Sequence, residues 1–206
     1  MIGEFAAKTC AITHGHPMAI LSAYVLGYII HYAVLDYSIE KAVEMALDKM
    51  NTWVAEDVDE NKKLRKIHYK EEKAELAEIL SKAIKLAKSD MDDLEAIREL
   101  GEGWVAEEAV AIAVFCAIRH EKSFEGAIVA AVNHDGDSDS TAAITGNIIG
   151  AKLGYEKIPD YYKNDIELKD VILELADDLA KGPDTDAKTG EMTEKWLEKY
   201  LYINRA

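Results

Sequence analysis

Eighteen consecutive residues, 18–35, carry no formal charge, and this run constrains the fold more than any other feature of the chain. Its length only reaches the lower limit for crossing a bilayer. It also contains His31, Gly27 and three tyrosines, Tyr24, Tyr28 and Tyr32, and no basic residue flanks it closely. It therefore reads as a buried core helix, apolar on every face as a central helix should be. Pro17 fits the first turn of such a helix, where its missing N–H costs nothing.

The rest of the chain repeats the helical period. Ser38 can cap a helix over residues 39 to about 52, with Glu40 placed favourably in its first turn. Residues 56–72 are dense in charge and read as a surface loop. Leu76, Ile79, Leu80, Ala83, Ile84 and Ala87 follow the spacing of an amphipathic helix. Residues 92–100 form a short helix closed by Gly101. Residues 105–119 are apolar on most faces and make a second central helix. Ser123 can cap residues 124 to about 132, and a polar loop over 133–139 leads into a helix ending near Gly154. Residues 168–181 and 193–202 add two more, separated by a turn-rich stretch. No alternating run and no internal repeat stands out, so the expected fold class is all-α. Residues 1–182 are expected to form the body of one helical domain, with 183–206 as its closing turn and helix.

Composition narrows the function. Basic residues number 24 and acidic ones 39, and the net charge of −15 argues against non-specific nucleic-acid binding. Cys10 and Cys116 both lie in apolar helical surroundings, so a disulfide scaffold and a structural zinc ribbon are excluded. The first eight residues include Glu4 and lack the charged and apolar regions of a secretion signal, so a cytoplasmic, membrane-free protein is expected.

Chemistry concentrates in Asp135-Gly136-Asp137-Ser138-Asp139-Ser140-Thr141. Three carboxylates within five residues repel one another unless something cationic lies among them. Asp and Ser/Thr oxygens are hard donors that suit Mg²⁺, Mn²⁺ or Ca²⁺ rather than zinc. The positive end of the following helix offsets part of their charge. Ala142, Gly146 and Gly150 fall on one helical face, where another backbone could approach closely. A plain Asp-rich turn with Asp139 as helix cap is the bland alternative. An EF-hand loop fails, because Ser140 occupies its glycine position and Gly146 its final glutamate position. Asp137 to Thr141 also spells the D-x-D-x-T of haloacid-dehalogenase-type phosphatases, with Asp177-Asp178 as a later acidic pair. That motif needs a preceding strand of a parallel sheet.

Read whole, Gly136-Asp137-Ser138-Asp139-Ser140-Thr141-Ala142-Ala143-Ile144-Thr145-Gly146 resembles the G-D-[TS]-D-[TS]-x-A-A-I-x-G signature of the ADP-ribosylglycohydrolase family. Thr13-His14-Gly15-His16-Pro17 resembles its T-H-x-H-P element, and Gly101-Glu102-Gly103-Trp104-Val105-Ala106-Glu107-Glu108-Ala109 its G-x-G-[WY]-V-x-E-x-A element, in the family's order. The resemblance implies an all-α orthogonal bundle that cleaves N- or O-glycosidic bonds to ADP-ribose with two divalent metals, Mg²⁺ or Mn²⁺. It assigns Asp137, Asp139 and Ser140 as metal ligands and His14 as a contact to bound ADP-ribose. Gly103, Trp104 and Val105 fall along the adenosine side, and Asp135 becomes an acid standing behind the ligands. The family's G-D-[AS]-x-G, [ST]-D-D-[ST] and G-N-G-x-x-M-R elements do not occur in these residues. The chain thus reads as a C-terminal part of the family fold with about half the metal site. The carboxylate that assists cleavage is expected in the absent N-terminal region.

The expected partners are ADP-ribose or an ADP-ribosylated substrate, with self-association or complementation by an N-terminal half. A non-catalytic ADP-ribose-binding or assembly module is the alternative to a hydrolase. His14 and His16, two apart, would point away from each other on a helix, which argues against a two-histidine metal site. On composition alone, Trp104 is a core residue, and dipole complementarity accounts for Glu107 and Glu108. No role is assigned to His134, and Asp184 and Asp186 read as a surface turn.

Overall fold

A computed structural model describes residues 2–58 and 64–201. Among them, eleven α-helices and a single two-stranded hairpin appear, so the all-α expectation holds. The chain forms two compact units, one reaching Pro159 and the other starting at Asp160.

In the first unit, α1 (Ile2–Cys10) packs on α2 (Pro17–Val34). By length and apolarity α2 could cross a membrane. Here it is a core helix, with Met18, Leu21, Val25 and Ile29 buried and α1, α3, α4, α6 and α8 packed around it. His16 precedes it as N-cap, its Nδ1 accepting the Met18 N–H at 3.3 Å. Helix α3 (Ile39–Thr52) has the expected bounds, and the Ser38 hydroxyl accepts the Lys41 N–H.

The charged stretch expected as a loop contains a hairpin instead. Strand β1 (Ala55–Val58) pairs antiparallel with β2 (Leu64–Ile67), setting Ala55 against Ile67 and Glu56 against Lys66. Ala55 is buried and Ile67 half-buried, while Glu56 and Lys66 face solvent. Two such positions per strand are too short an alternation to stand out among so many charges. Helix α4 (Lys70–Ala87) then starts earlier than its apolar stripe does and buries Leu76, Leu80 and Ala83.

Helix α5 (Asp93–Leu100), capped by Asp92, leads through a glycine turn into α6 (Ala106–Arg119). Every residue of α6 from Ala109 to Ala117 is buried, and α2, α3, α4, α5, α7 and α8 all contact it. The Arg119 guanidinium closes this helix against Phe115 and donates to the carbonyls of Leu86, Ala87, Ser89 and Met91. That satisfies the last turn of α4, whose carbonyls have no helical partner, and fixes the approach to α5. Helix α7 (Phe124–Val132) has its expected bounds and α8 (Ser138–Leu153) follows, ending at Gly154 and a 3-10 turn, Tyr155–Lys157.

Among the described residues, no neighbouring backbone approaches Gly146 or Gly150 on the face that they share with Ala142. A Cβ at Gly146 would meet only the Ile128 side chain at 3.6 Å, and one at Gly150 would meet nothing within 4 Å. The buried face of α8 is Thr141, Thr145, Ile148 and Ile149, where larger side chains reach the core.

The second unit holds α9 (Asp160–Asn164), α10 (Lys169–Lys181) and α11 (Glu194–Tyr200). The end expected for the last helix, Tyr202, lies outside the described residues. Between α10 and α11, Asp184 accepts from Thr193 and Asp186 from two backbone N–H groups, the expected surface turn. Asp177 pairs with Lys181, and Asp178 accepts from Lys199 at 2.6 Å and from the Tyr200 hydroxyl. These bonds, that from Lys199 foremost, hold the Asp178 carboxyl below its usual range. A depressed carboxylate pKa stabilises the fold above the ordinary value of about 4 and ceases to do so as pH falls through the lowered one. The pairing of α10 with α11 should therefore persist at neutral pH and weaken in acid. The ring signals of Trp196, followed by NMR against pH, should show this transition in the wild type and lose it in Asp178→Asn.

Candidate functional site

The site begins with the glycine turn after α5. Gly101 and Gly103 have φ of +122° and +81°, backbone that side chains rarely adopt. The Glu108 carboxylate, in the first turn of α6, accepts the N–H groups of Glu102 at 3.1 Å and Gly103 at 3.0 Å. Dipole complementarity therefore describes Glu108 only in part, since it holds the turn that precedes its own helix. Trp104 is not a core residue. It is 68% exposed, and its indole N–H donates to Glu102 Oε2 at 3.1 Å.

The acidic loop docks on this turn. A Cβ on Gly136 would lie 1.9 Å from the Glu102 carbonyl oxygen, so only glycine permits the approach. The next N–H, that of Asp137, donates to this same oxygen at 2.7 Å. Asp137 rather than Asp139 caps α8, its Oδ1 accepting the Ser140 N–H at 3.5 Å. The capping carboxylate also faces the positive end of that helix.

The three neighbouring charges are only partly dispersed. Asp135 does not stand behind the other two. Its side chain is 86% exposed and pairs with Arg98 at 3.1 Å. Asp139 lies exposed in the first turn of α8. Hydrogen bonds from the Asp139 side chain and then from Ser140 hold the Asp137 carboxyl below its usual range.

Six of the sequence-predicted residues, His14, Gly103, Trp104, Val105, Asp137 and Ser140, line one cavity of about 450 Å³. Asp139 does not line it. His16 lines the same cavity, which the helical geometry assumed for the pair did not anticipate. The segment before Pro17 is not helical, and in non-helical backbone residues two apart can face the same way. His14 Nδ1 lies 2.8 Å from the Thr13 hydroxyl. Among the described residues, no three His, Cys, Asp or Glu side chains gather closely enough to hold a cation unaided. Asp137, Asp139 and Ser140 offer hard oxygens of the right kind for Mg²⁺ or Mn²⁺, which take about six.

The phosphatase alternative fails, because the D-x-D-x-T stretch follows helix α7 rather than a strand. Glu108 and Gly136 were not recognised as site residues. Glu108 stands three residues after the N-cap Val105, but without the Ser or Thr of a capping box no local signal marked its reach to residues 102 and 103. Nothing local distinguishes Gly136 from an ordinary turn glycine.

Gly136→Ala should force the two loops apart and destabilise the protein by roughly 1–3 kcal/mol, as overpacking does. Gly150→Ala, in open space within α8, should instead stabilise it by up to ~1 kcal/mol. Urea unfolding of both variants measures this, and equal stability would refute the docked-loop geometry.

The comparisons with known proteins agree with these motifs. A family model described as ADP-ribosylglycohydrolase matches residues 2–188. An uncharacterised protein of Archaeoglobus fulgidus is 30% identical over 179 residues, covering 87% of this chain and 51% of its own length. ADP-ribosylhydrolase ARH3 of Bos taurus is 30% identical over 83 residues, or 35% of this chain and 23% of that protein. The Mus musculus ARH3 matches at the same identity over 22% of its length. The chain thus spans about half the length of its archaeal relative and less of the mammalian ones. Since the family match runs through all three motif-bearing stretches and nearly all of the helical body, this chain belongs to the ADP-ribosylglycohydrolase family.

Proposed function

We propose that this chain forms an ADP-ribose-gripping wall of a hydrolase site, one that cleaves the glycosidic bond between ADP-ribose and a modified group. One observation carries the reading. Three stretches far apart in sequence, around His14, Trp104 and Asp137, meet at a single cavity. Trp104 offers an exposed aromatic face on which a purine can stack, and its bond to Glu102 limits how the indole can turn. His14 has one ring nitrogen engaged by Thr13, which leaves the other for a hydroxyl or phosphate oxygen. Gly103 presents backbone beside it without a side chain in the way.

Asp137 and Asp139, with Ser140, would hold Mg²⁺ or Mn²⁺. When bound, such a cation supplies positive charge between these carboxylates and an anionic diphosphate and polarises ribose hydroxyls. Without it, the acidic loop repels the ligand. The remaining donors and the carboxylate that assists cleavage are assigned to groups outside the motifs found here, so the chain alone binds ADP-ribose without turning substrate over.

Calorimetry with Mn²⁺ and ADP-ribose tests this. ADP-ribose affinity should rise at least tenfold, or about 1.4 kcal/mol, when Mn²⁺ is present. Asp137→Asn, which keeps the helix cap, and Asp139→Ala should abolish that gain, whereas Asp135→Ala should keep it. An equal response in all three variants would remove the ligand assignment. Release of ADP-ribose from a modified protein by this chain alone would overturn the division of labour.

A further inference from the structure

His134 precedes the acidic loop and takes no part in the function proposed above. Both of its ring nitrogens are engaged. The Gly136 N–H donates to Nδ1 at 3.1 Å, and Nε2 lies 2.8 Å from the Thr141 hydroxyl. A nitrogen that accepts from an N–H carries no proton itself, so the proton of the neutral ring is on Nε2 and is donated to Thr141 Oγ1. Thr141 is fully buried, and the carbonyls of Ala131, Asp137 and Ser138 lie at 2.9, 3.1 and 3.2 Å to take its hydroxyl proton. The result is a directed chain from the Gly136 N–H through the imidazole and Thr141 to the carbonyls around it. Reversing the tautomer would set two N–H groups against each other at Gly136.

We propose that His134 is a positioning residue, which holds the Gly136-Asp137 backbone against the Glu102 carbonyl and thereby sets the stance of the Asp137 carboxylate. Two adjacent N–H groups are fixed by different partners, Gly136 by the imidazole and Asp137 by Glu102. With both in place the peptide between them cannot rotate. Without the imidazole the Gly136 N–H is released, and the loop is left to the Glu102 contact, the Ser138 N–H on the Gly136 carbonyl at 2.9 Å and the Asp137 cap. The effect on a bound cation rests on the proposed function, whereas the effect on the loop does not.

Asparagine and glutamine separate the two halves of the chain. Asn at 134 can offer an oxygen to the Gly136 N–H in an Asx-turn, but does not reach Thr141. Gln reaches toward Thr141 and leaves Gly136 unpaired. Amide hydrogen exchange at Gly136, read without any metal, should accelerate in His134→Ala and His134→Gln and stay slow in His134→Asn. The ¹⁵N ring signals of the wild type should show an unprotonated Nδ1 and a protonated Nε2. Mn²⁺ affinity, followed by calorimetry, should fall about 10–100-fold in the Ala and Gln variants, as for partners behind metal ligands, and recover in the Asn variant. A purely packing role would instead scale affinity with overall stability and give Asn no advantage. Protonated Nδ1, or Gly136 exchange unchanged in His134→Ala, would overturn the proposal. The expected exchange pattern in a wild type that binds no Mn²⁺ would uphold the positioning of the loop and defeat the cation reading of the site.

Discussion

The burial of α6 on all sides is the constraint from which the rest follows. The ends of this helix are less buried than its middle, and a charged side chain at each end ties a neighbouring segment to it. At the C-terminal end, Arg119 spreads over four carbonyls of the neighbouring segment. At the N-terminal end, Glu108 reaches back to two N–H groups of the glycine turn. The turn is thereby tied to the buried helix beneath it, and the acidic loop is docked in its own right upon the turn. The candidate site is mounted on a helix buried throughout from Ala109 to Ala117.

Most of the fold was legible because the relevant signals are local. Ser38 and Ser123 announce helices whose first residues follow at once, and the structure begins α3 and α7 there. The hairpin was illegible because its pairing joins segments that are not adjacent in sequence, and its four-residue strands carry charges that mask any alternation. The glycine face of α8 was misread for a related reason. Small residues permit close approach but do not summon a neighbour, and the core-facing side was decided by Ile148 and Ile149 with the two buried threonines.

At the site itself, residue types were visible and their partners were not. The motifs named His14, Trp104 and Asp137, yet what holds each of them is mostly non-local. Asp135 resembles its acidic neighbours in sequence and is drawn away by Arg98, thirty-seven positions earlier. His14 and His16 look opposed only if the chain before Pro17 is helical, and the proline that starts α2 keeps the helix from extending backwards. Trp104 has the composition of a core residue, but the left-handed glycine beside it delivers it to the surface instead.

Glu102 connects two functions through different atoms. Its main-chain oxygen receives the acidic loop, while its carboxylate steadies the indole of Trp104. Main-chain anchorage is indifferent to the identity of the side chain, so residue 102 can be exchanged without unseating the loop. The aromatic platform would then settle at another tilt. The orientation of the exposed indole is thus set separately from the docking of the loop beside it, so one can diverge while the other stays constant.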